Sequence, residues 1–476
     1  MGEKMKKNIV LSAIAVSLLA SASLNAAEDL SSMFTEGKIS GQVRMFYIDR
    51  QYQGSSGKDT HRNSTAIGGH LKFETADYKG LSLGTAFYTT NSLSIFNYDN
   101  VDPSLLGEGG DNYSILGEAY INYDMSSLGT KTTAKLGFQR YDTPMMGSDD
   151  ARMIPNTFEA YKFVNKDLDS VSFQVAQVTS IAYGTFSSIY NNSGILGATS
   201  GYSGQGKDLS NPAIATGNNP QTGKYYNLGS ATVGKSTAGI TNAMLAYKGK
   251  TFNAKLSNDY AWDLYNTLYL EAGAKWDCLL NSNVHPFIAA QVIKQNSVGG
   301  EYMKHADAGV AGAGNTHNGE IDSLYWAVKV GAKYAGLSGY IAYSETGAND
   351  ENDAAYKNAV VSQFGGMPAF TQGMVTRHMF LAGTKAKKAV IAYNFKELGA
   401  DVSAATYYAS FDMDANSGYG DERTASEAGF DIKYNPASVD NLNLRFRGNF
   451  PRKFAGNDTS GYTGWNEYRL IANYNF

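Results

Sequence analysis

The chain has 476 residues, with 33 Tyr, 22 Phe and 51 Gly beside only 9 Pro and one Cys. This composition is typical of an aromatic, glycine-rich all-β protein, and one Cys excludes a disulfide framework. A formal net charge of −4 argues against nucleic acid as a partner. No linker, charge run or change of periodicity divides the chain, so we predict a single domain after the leader.

The N-terminus has the pattern of a secretory signal peptide. Lys4, Lys6 and Lys7 precede an apolar run, and small residues follow that run up to Ala27. The run is shorter than the roughly twenty apolar residues that a membrane-spanning helix needs. We therefore predict a cleaved signal peptide over residues 1–26 and a mature chain over residues 27–476.

From Lys38 onward, short segments of alternating apolar and polar residues follow one another. The segment from Leu442 to Phe450 is the clearest, because Leu444 and Phe446 share one face while the intervening arginines share the other. We count about eighteen such segments of about ten residues, the length at which a tilted strand crosses a bilayer. Their connections alternate between short and long. This predicts one transmembrane antiparallel β-barrel, with short periplasmic turns and long extracellular loops.

The last segment, from Trp465 to Phe476, alternates in the same way and ends the chain on an aromatic residue. The closing strand of a soluble sandwich can also alternate. An aromatic terminus resembles the signal by which the barrel-assembly machinery recognises bacterial outer-membrane barrels. We therefore expect a location in the cell outer membrane, in contact with the lipid bilayer and lipopolysaccharide. The predicted assembly signal consists of Tyr468, Leu470, Tyr474 and Phe476.

Two motifs resemble the OprD family of substrate-specific outer-membrane porins, in its epsilonproteobacterial form. One runs from Lys135 through Gln139-Arg-Tyr-Asp-Thr-Pro144 to Phe158, and the other from Gly365-Gly-Met-Pro-Ala-Phe370 to His378. The resemblance implies an eighteen-stranded barrel, monomeric or loosely trimeric. It also implies that the third and seventh loops, near residues 140–157 and 346–384, fold inward as a constriction.

The constriction implied by this resemblance carries several charged residues. Pro144 and Pro155 stiffen the first of the two loops, as an inward-folded loop requires. The alternative is a solvated external loop whose charges keep it soluble. The predicted constriction residues are Asp142, Asp149, Asp150, Arg152, Arg377 and His378.

Cations are frequent on the face of the strands that would line the lumen. Arg44 and Arg469 lie on the first and last strands, beside Arg445 and Arg447, so barrel closure would bring the four guanidinium groups into one stripe. Acidic residues share the lumen, so the alternative is that the cations pair with them across strands. The predicted basic ladder comprises Arg44, Lys72, Lys329, Lys333, Lys388, Arg445, Arg447 and Arg469.

The sequence offers little support for metal or catalytic chemistry. Asp412, Asp414 and Asn416 place oxygen donors at alternate positions, but the glycine and the final glutamate of a calcium loop are missing. None of the histidines lies in a hydrolase motif. We therefore predict no cofactor, no enzyme activity and a water-filled channel for passive diffusion of small hydrophilic, carboxylate-bearing solutes. The alternatives are an outer-membrane hydrolase, or an adhesin or receptor acting through the long loops.

Overall fold

The computed structural model describes residues 27–53, 60–93, 101–107, 110–190, 222–233, 236–299, 320–353, 356–417, 422–457 and 461–476. The predicted signal peptide over residues 1–26 lies outside these ranges. Antiparallel strands make up most of the described chain. Their bounds are β1 Lys38–Gln53, β2 Thr60–Glu74, β3 Leu81–Ser92, β4 Tyr113–Asp124, β5 Thr132–Gln139, β6 Thr157–Asn165, β7 Val171–Ala182, β8 Ile240–Lys248, β9 Phe252–Ala261, β10 Tyr265–Lys275, β11 Val284–Ser297, β12 Asp322–Tyr334, β13 Leu337–Thr346, β14 Lys385–Asn394, β15 Val402–Met413, β16 Arg423–Tyr434, β17 Leu442–Arg452 and β18 Gly461–Asn475.

The first and last strands close the sheet into a barrel. β1 pairs with β2 on one side and with β18 on the other, where Val43 faces Tyr474 and Tyr52 faces Trp465. Every other strand pairs with its neighbours in sequence. Closure pairs the backbone of each strand on both sides, as a hydrocarbon environment requires. The predicted eighteen-stranded antiparallel barrel is confirmed.

Helical elements are short and lie in the connections. The helix α1, Leu30–Thr35, precedes β1 and begins at Asp29, whose Oδ1 accepts the backbone N–H of Ser32 at 2.7 Å. No helix in the described ranges has the length and apolar character to span a membrane. The remaining helical segments are α2 Ser187–Tyr190 and α3 Leu228–Val233, and the 3₁₀ turns are Pro103–Leu105, Ser126–Leu128, His378–Phe380 and Phe395–Leu398. Short strands also occur at Tyr226–Asn227 and Ala455–Asn457.

The period-2 pattern places apolar side chains on the outer face of the wall. Val43 and Met45 on β1 are both more than 40% exposed, whereas Arg44 between them is 7% exposed and points inward. The same alternation exposes Ile341 on β13 and Leu470 on β18. The wall therefore has an apolar exterior that matches lipid and an interior that carries charge.

Long and short connections lie mostly at opposite ends of the barrel. One end has brief turns such as 249–251 and 335–336, and the other has the connections 183–239 and 347–384. The expectation that every tight turn lies at the short-turn end is wrong at one place. Residues 262–264 join β9 to β10 at the long-loop end, where Asp263 has a φ of +62°.

Part of the barrel interior is filled by a hydrophobic core. Phe46 and Ile48 on the inner face of β1 are buried against Leu105 and Met153 from two long loops. Ile471, the residue that breaks the alternation of β18, faces inward and packs in the same cluster. The loops thus fill the bore beside β1.

Candidate functional site

The connection between β5 and β6, residues 140–156 and here called L3, is braced by its own polar groups. The Asp142 carboxylate accepts the backbone N–H of Ser148 at 2.7 Å and its hydroxyl at 2.8 Å. The Asn156 side chain donates to the Gly147 carbonyl at 3.0 Å. At the base of the loop, the Tyr141 hydroxyl donates to Asn242 on β8 at 2.8 Å. These bonds hold L3 in a compact shape beside the wall.

Ion pairs tie L3 to the strands where the barrel closes. Arg44 on β1 contacts Asp150 at 2.6 Å and also donates to the Arg152 carbonyl. Arg152 in turn reaches Glu467 on β18 at 3.2 Å. Glu467 also accepts Arg50 Nε at 2.7 Å and pairs with Arg469. One buried carboxylate therefore balances three arginines, which anchors L3 to the wall.

The connection between β13 and β14, residues 347–384 and here called L7, is held by a second buried carboxylate. Glu427 on β16 accepts the backbone N–H groups of Met374 at 2.7 Å and Thr376 at 2.9 Å. It also accepts the hydroxyls of Thr376 and Tyr407. A carboxylate receiving several donors in this way is well solvated by the protein. The turn at residues 373–376 is thereby fixed against the wall.

L3 and L7 also contact each other. The Gly147 N–H donates to the Phe364 carbonyl at 2.8 Å. Met146 in L3 forms isolated β-bridges with Phe364 and Gly365 in L7. Arg377 in L7 lies 3.7 Å from the Asp149 carboxylate in L3. Burial raises the pKa of Asp149 to about 6, against the opposing attraction of Arg377 and Arg152. The two loops therefore form one connected structure across the bore.

Between these loops and the wall lies a cavity of about 430 Å³. L7 contributes Phe370 and Met374 to it, while Lys329 and Lys388 enter from β12 and β14. Among the described residues that line this cavity there are five cations and no carboxylate. The full lining is Ala151, Arg152, Phe186, Lys329, Tyr340, Met367, Ala369, Phe370, Gln372, Gly373, Met374, Lys388, Arg447 and Arg469.

A wider cavity of about 950 Å³ adjoins the first and shares Lys329 and Tyr340 with it. It extends to residues beside the short turns, including Lys250 and Asp277. Gly273, Ala289 and other small side chains line the wall here, which leaves the bore open. The narrow cavity is therefore the tighter of two adjoining spaces inside the barrel.

The structure places the predicted constriction residues in the two loops, but only Arg152 lines the narrow cavity. Asp142, Asp149 and Asp150 turn toward partners within L3, L7 or the wall. Arg377 is 3% exposed, and His378 has no exposed surface. His378 Nε2 donates to the Phe454 carbonyl at 2.8 Å, and burial lowers its pKa to about 3. These five residues hold the loops in place, and the role of the two loops as a constriction stays a prediction.

Some residues of the predicted basic ladder form close ion pairs with carboxylates, and others do not. Arg44, Arg445 and Arg469 each have a carboxylate partner, which for Arg445 is Asp431 at 2.7 Å. Lys72 lies 3.1 Å from Glu74. The four predicted stripe arginines do occupy adjoining strands, but three of them are balanced by acids. Four members of the predicted ladder line the cavities and have no carboxylate oxygen within 3.5 Å among the described residues: Lys329, Lys333, Lys388 and Arg447, whose Nε is 3.6 Å from Asp431.

The weak calcium candidate has other partners. Asp412 accepts the Thr424 hydroxyl at 2.8 Å, and Asp414 accepts the Asn416 N–H at 2.8 Å. No cluster of three metal-binding His, Cys, Asp or Glu side chains occurs in the ranges that the structure describes. Asp414 and Asn416 thus belong to a short turn after β15.

Sequence reasoning missed several residues that shape the site. Arg50 on β1 was not among the predicted residues, although it continues the inward phase of Arg44. Phe370 was quoted only as part of a motif. Its ring lies 4.0 Å from the Lys329 ammonium, a contact that depends on how L7 folds. Strand phase could have identified Arg50, whereas no sequence signal places Phe370.

Part of the barrel matches a known protein family. Residues 32–189 match the model of a family described as outer membrane porin, OprD family. The predicted resemblance to OprD-family outer-membrane porins is confirmed. A location in the outer membrane fits the barrel fold and this partial match. No curated protein matches the sequence significantly.

Solved structures show the same OprD-type fold over nearly the whole chain. Pseudomonas aeruginosa OccK9 (OpdG) is similar with a TM-score of 0.68 at 17% identity, covering 94% of this chain and 99% of that one. P. aeruginosa OpdK with vanillate gives a TM-score of 0.67 at 16% identity, covering 95% and 100%. P. aeruginosa OccK5 (OpdH) gives 0.65 at 16%, covering 92% and 98%. At this identity the similarity concerns the fold alone.

Proposed function

We propose that this outer-membrane channel for small solutes prefers anions, and in particular solutes that carry a carboxylate. The observation that carries the proposal is the lining of the narrow cavity, which includes five cations and no carboxylate among the described residues. Glu467 balances Arg152 and Arg469, and Lys329, Lys388 and Arg447 remain as the cations that can attract an anion. Water in the bore weakens each attraction, with a Debye length of about 8 Å at physiological salt. An opening of comparable width still keeps a passing anion within reach of the cations.

The aromatic and thioether side chains in the lining extend the proposal to the body of the solute. Phe370 and Met374 offer an apolar surface beside Lys329 and Lys388. A solute with a carboxylate and a short apolar body fits both kinds of surface. Vanillate, with which the similar OpdK was crystallised, is a carboxylate of this kind. This supports the proposal by analogy only.

The test is ion selectivity in a planar lipid bilayer. The purified protein is expected to give discrete ohmic current steps and, in a salt gradient, a reversal potential on the anion side. In liposome swelling, valerate is expected to enter faster than neutral valeramide, which has nearly the same shape. Cation selectivity or equal entry would overturn the anion preference. A barrel that conducts nothing would favour the hydrolase or the receptor alternative.

A further inference from the structure

The cations of the narrow cavity form two separate groups on the wall. In the first group, Lys329 on β12 and Lys388 on β14 both face Ala342 on the intervening strand β13. Their Cα atoms therefore lie at one level, about 10 Å apart across two strand spacings. The small Ala342 side chain leaves room between the two lysines. The Phe370 ring of L7 packs in the same cluster as Ala342 and contacts Lys329.

Neither lysine of this first group has an ion-pair partner among the described residues. The Lys329 ammonium lies over the rings of Phe370 and Tyr340, at 4.0 and 5.5 Å. Lys388 donates to the Gln372 carbonyl at 2.5 Å. The carboxylates within their electrostatic reach are Glu271 and Glu427, each of which already accepts a tyrosine hydroxyl. These two lysines thus form a positively charged end of the cavity, which we call its first pole, and the second group of cations forms its second pole.

The second group consists of Arg447 on β17 and Arg469 on β18, which face each other directly. Like charges in such a position destabilise a sheet unless something balances them. Glu467 balances Arg469. The carboxylate closest to Arg447 is Asp431, 3.6 Å from Nε, and it already accepts Arg445. Within the described chain the buried Nε of Arg447 makes no hydrogen bond, and the residue belongs to the lining of the cavity.

The two groups approach one cavity from well-separated points of the wall. Lys388 faces Ala409, Ala409 faces Glu427, and Glu427 faces Pro451 on β17. Arg447 is four residues along β17 from Pro451. Three strand spacings and four residues place the backbones of the two poles roughly 19 Å apart. The long side chains reach inward from these points, and a compact cavity of this volume is about 9 Å across.

We propose that the preferred solutes carry two anionic groups, one held by Lys329 and Lys388 and the other by Arg447. The apolar part of the solute then lies across Phe370 and Met374, which line the same cavity. A monoanion satisfies one pole and leaves the other unpaired. This inference rests on the proposed anion preference, which it refines to a class of dianions.

The experiment compares acids that match in length but differ in charge. Adipate and hexanoate are added to single channels, and the affinity of each is taken from the concentration dependence of its transient current block. Adipate is expected to bind about tenfold more tightly, the factor that corresponds to one added ion pair of modest strength. Raising the salt concentration is expected to reduce the advantage of adipate.

Two variants remove one pole each. Arg447→Gln, and the double variant Lys329→Gln with Lys388→Gln, are each expected to bring the affinity of adipate down to that of hexanoate. Lys333→Gln is the matched control, because Lys333 lines the wider cavity but not the narrow one. It is expected to keep the ratio of the two affinities. Heat-dependent gel mobility confirms that each variant forms the barrel.

The outcomes separate this inference from the proposed function. Equal affinity of adipate and hexanoate in an anion-selective channel would overturn the two-pole model and leave the anion preference standing. An adipate advantage that survives in both pole variants would overturn it as well. Failure of the anion preference itself is seen independently, as equal entry of valerate and valeramide.

Discussion

Arg152 in L3 and Glu467 on β18 form an ion pair of 3.2 Å in which neither side chain has any exposed surface. The Glu467 carboxylate also forms an ion pair with Arg50. Arg50 forms a second ion pair, of 2.7 Å, with Asp102 in the long loop between β3 and β4. Two loops and the closing strand pair of the barrel therefore depend on one acidic side chain. The network fixes one side of the narrow cavity, because Arg152 and Arg469 both line it.

Replacing Glu467 with Gln is expected to destabilise the barrel strongly. The change leaves the buried guanidinium groups around it without their shared counter-charge, which costs about 3–5 kcal/mol when one partner of a buried pair is removed. The unfolding midpoint in urea, followed by heat-dependent gel mobility, measures the loss. Asp169→Asn is the control, since the Asp169 side chain is fully exposed and its lysine is 4.0 Å away. Equal midpoints for the two variants would show that water reaches the arginines.

Replacing Glu427 with Gln is expected to loosen L7. The amide presents one oxygen and an unwanted donor to the N–H groups of Met374 and Thr376, and each charge-assisted hydrogen bond lost costs about 1.5–3 kcal/mol. The measurement is tryptic cleavage after Arg377, which is 3% exposed in the closed loop. Cleavage of the folded barrel is expected to speed up at least tenfold.

The matched control for L7 is Glu345→Gln. Glu345 lies 3.7 Å from Lys385, whose side chain is 61% exposed, so this pair contributes little to stability. Cleavage of this variant is expected to match that of the unaltered protein. If Glu427→Gln is cleaved no faster than Glu345→Gln, L7 is held by its apolar contacts instead of by the carboxylate.

The number, length and alternation of the strands and the lengths of their connections predicted the barrel, and strand phase predicted the inward face of the wall. Arg445 and Arg447 point inward because the opposite face of β17 carries Leu444 and Phe446. A shift of one residue would turn the arginines toward lipid and the apolar side chains toward the bore. The partners of these cations could not be predicted in the same way. Arg44 pairs with Asp150, more than a hundred residues away in a loop, so the pairing depends on how L3 enters the barrel.

The shape of the constriction was the least predictable part. Of the residues that the L3 motif indicated, Arg152 lines the narrow cavity, whereas Asp149 and Asp150 form ion pairs with Arg377 and Arg44. Charge and proline content indicate that a loop is stiff and polar, and they do not say which of its side chains face open space. Phe370 acquires its place over Lys329 only when L7 is folded against Glu427.

Replacing Gly366 with Ala is expected to separate L7 from L3. A Cβ at this position would overlap the backbone of Met145 and the Pro144 carbonyl, and neither can move without shifting L3. The loops are then expected to part, with larger single-channel conductance and more current noise. Gly347→Ala is the control in the same loop, because the nearest atom to its added Cβ is 3.5 Å away. Unchanged conductance in Gly366→Ala would show that L3 can shift without widening the bore.

His378 is expected to make the folded protein sensitive to acid. Its pKa is lowered to about 3 by burial in the protein, against an ordinary value of about 6.5 in the unfolded chain. Between these two values the unfolded chain binds the additional proton, so stability falls as the pH falls through this window and is fully present above it. The contribution amounts to about 1.4 kcal/mol for each pH unit below 6.5.

His378→Gln isolates this contribution from the other titrating groups, because glutamine can still donate to the Phe454 carbonyl but binds no proton in this range. The free energy of unfolding is measured for both proteins at pH 7.5 and pH 4.5. Between pH 7.5 and pH 4.5 the unaltered protein is expected to lose about 2–3 kcal/mol more stability than His378→Gln. The reason is that His378 binds a proton in the unfolded chain but stays neutral in the folded protein. Parallel losses in the two proteins would mean that the imidazole is protonated within the fold, which its hydrogen bond to a carbonyl and its lack of exposed surface make unfavourable.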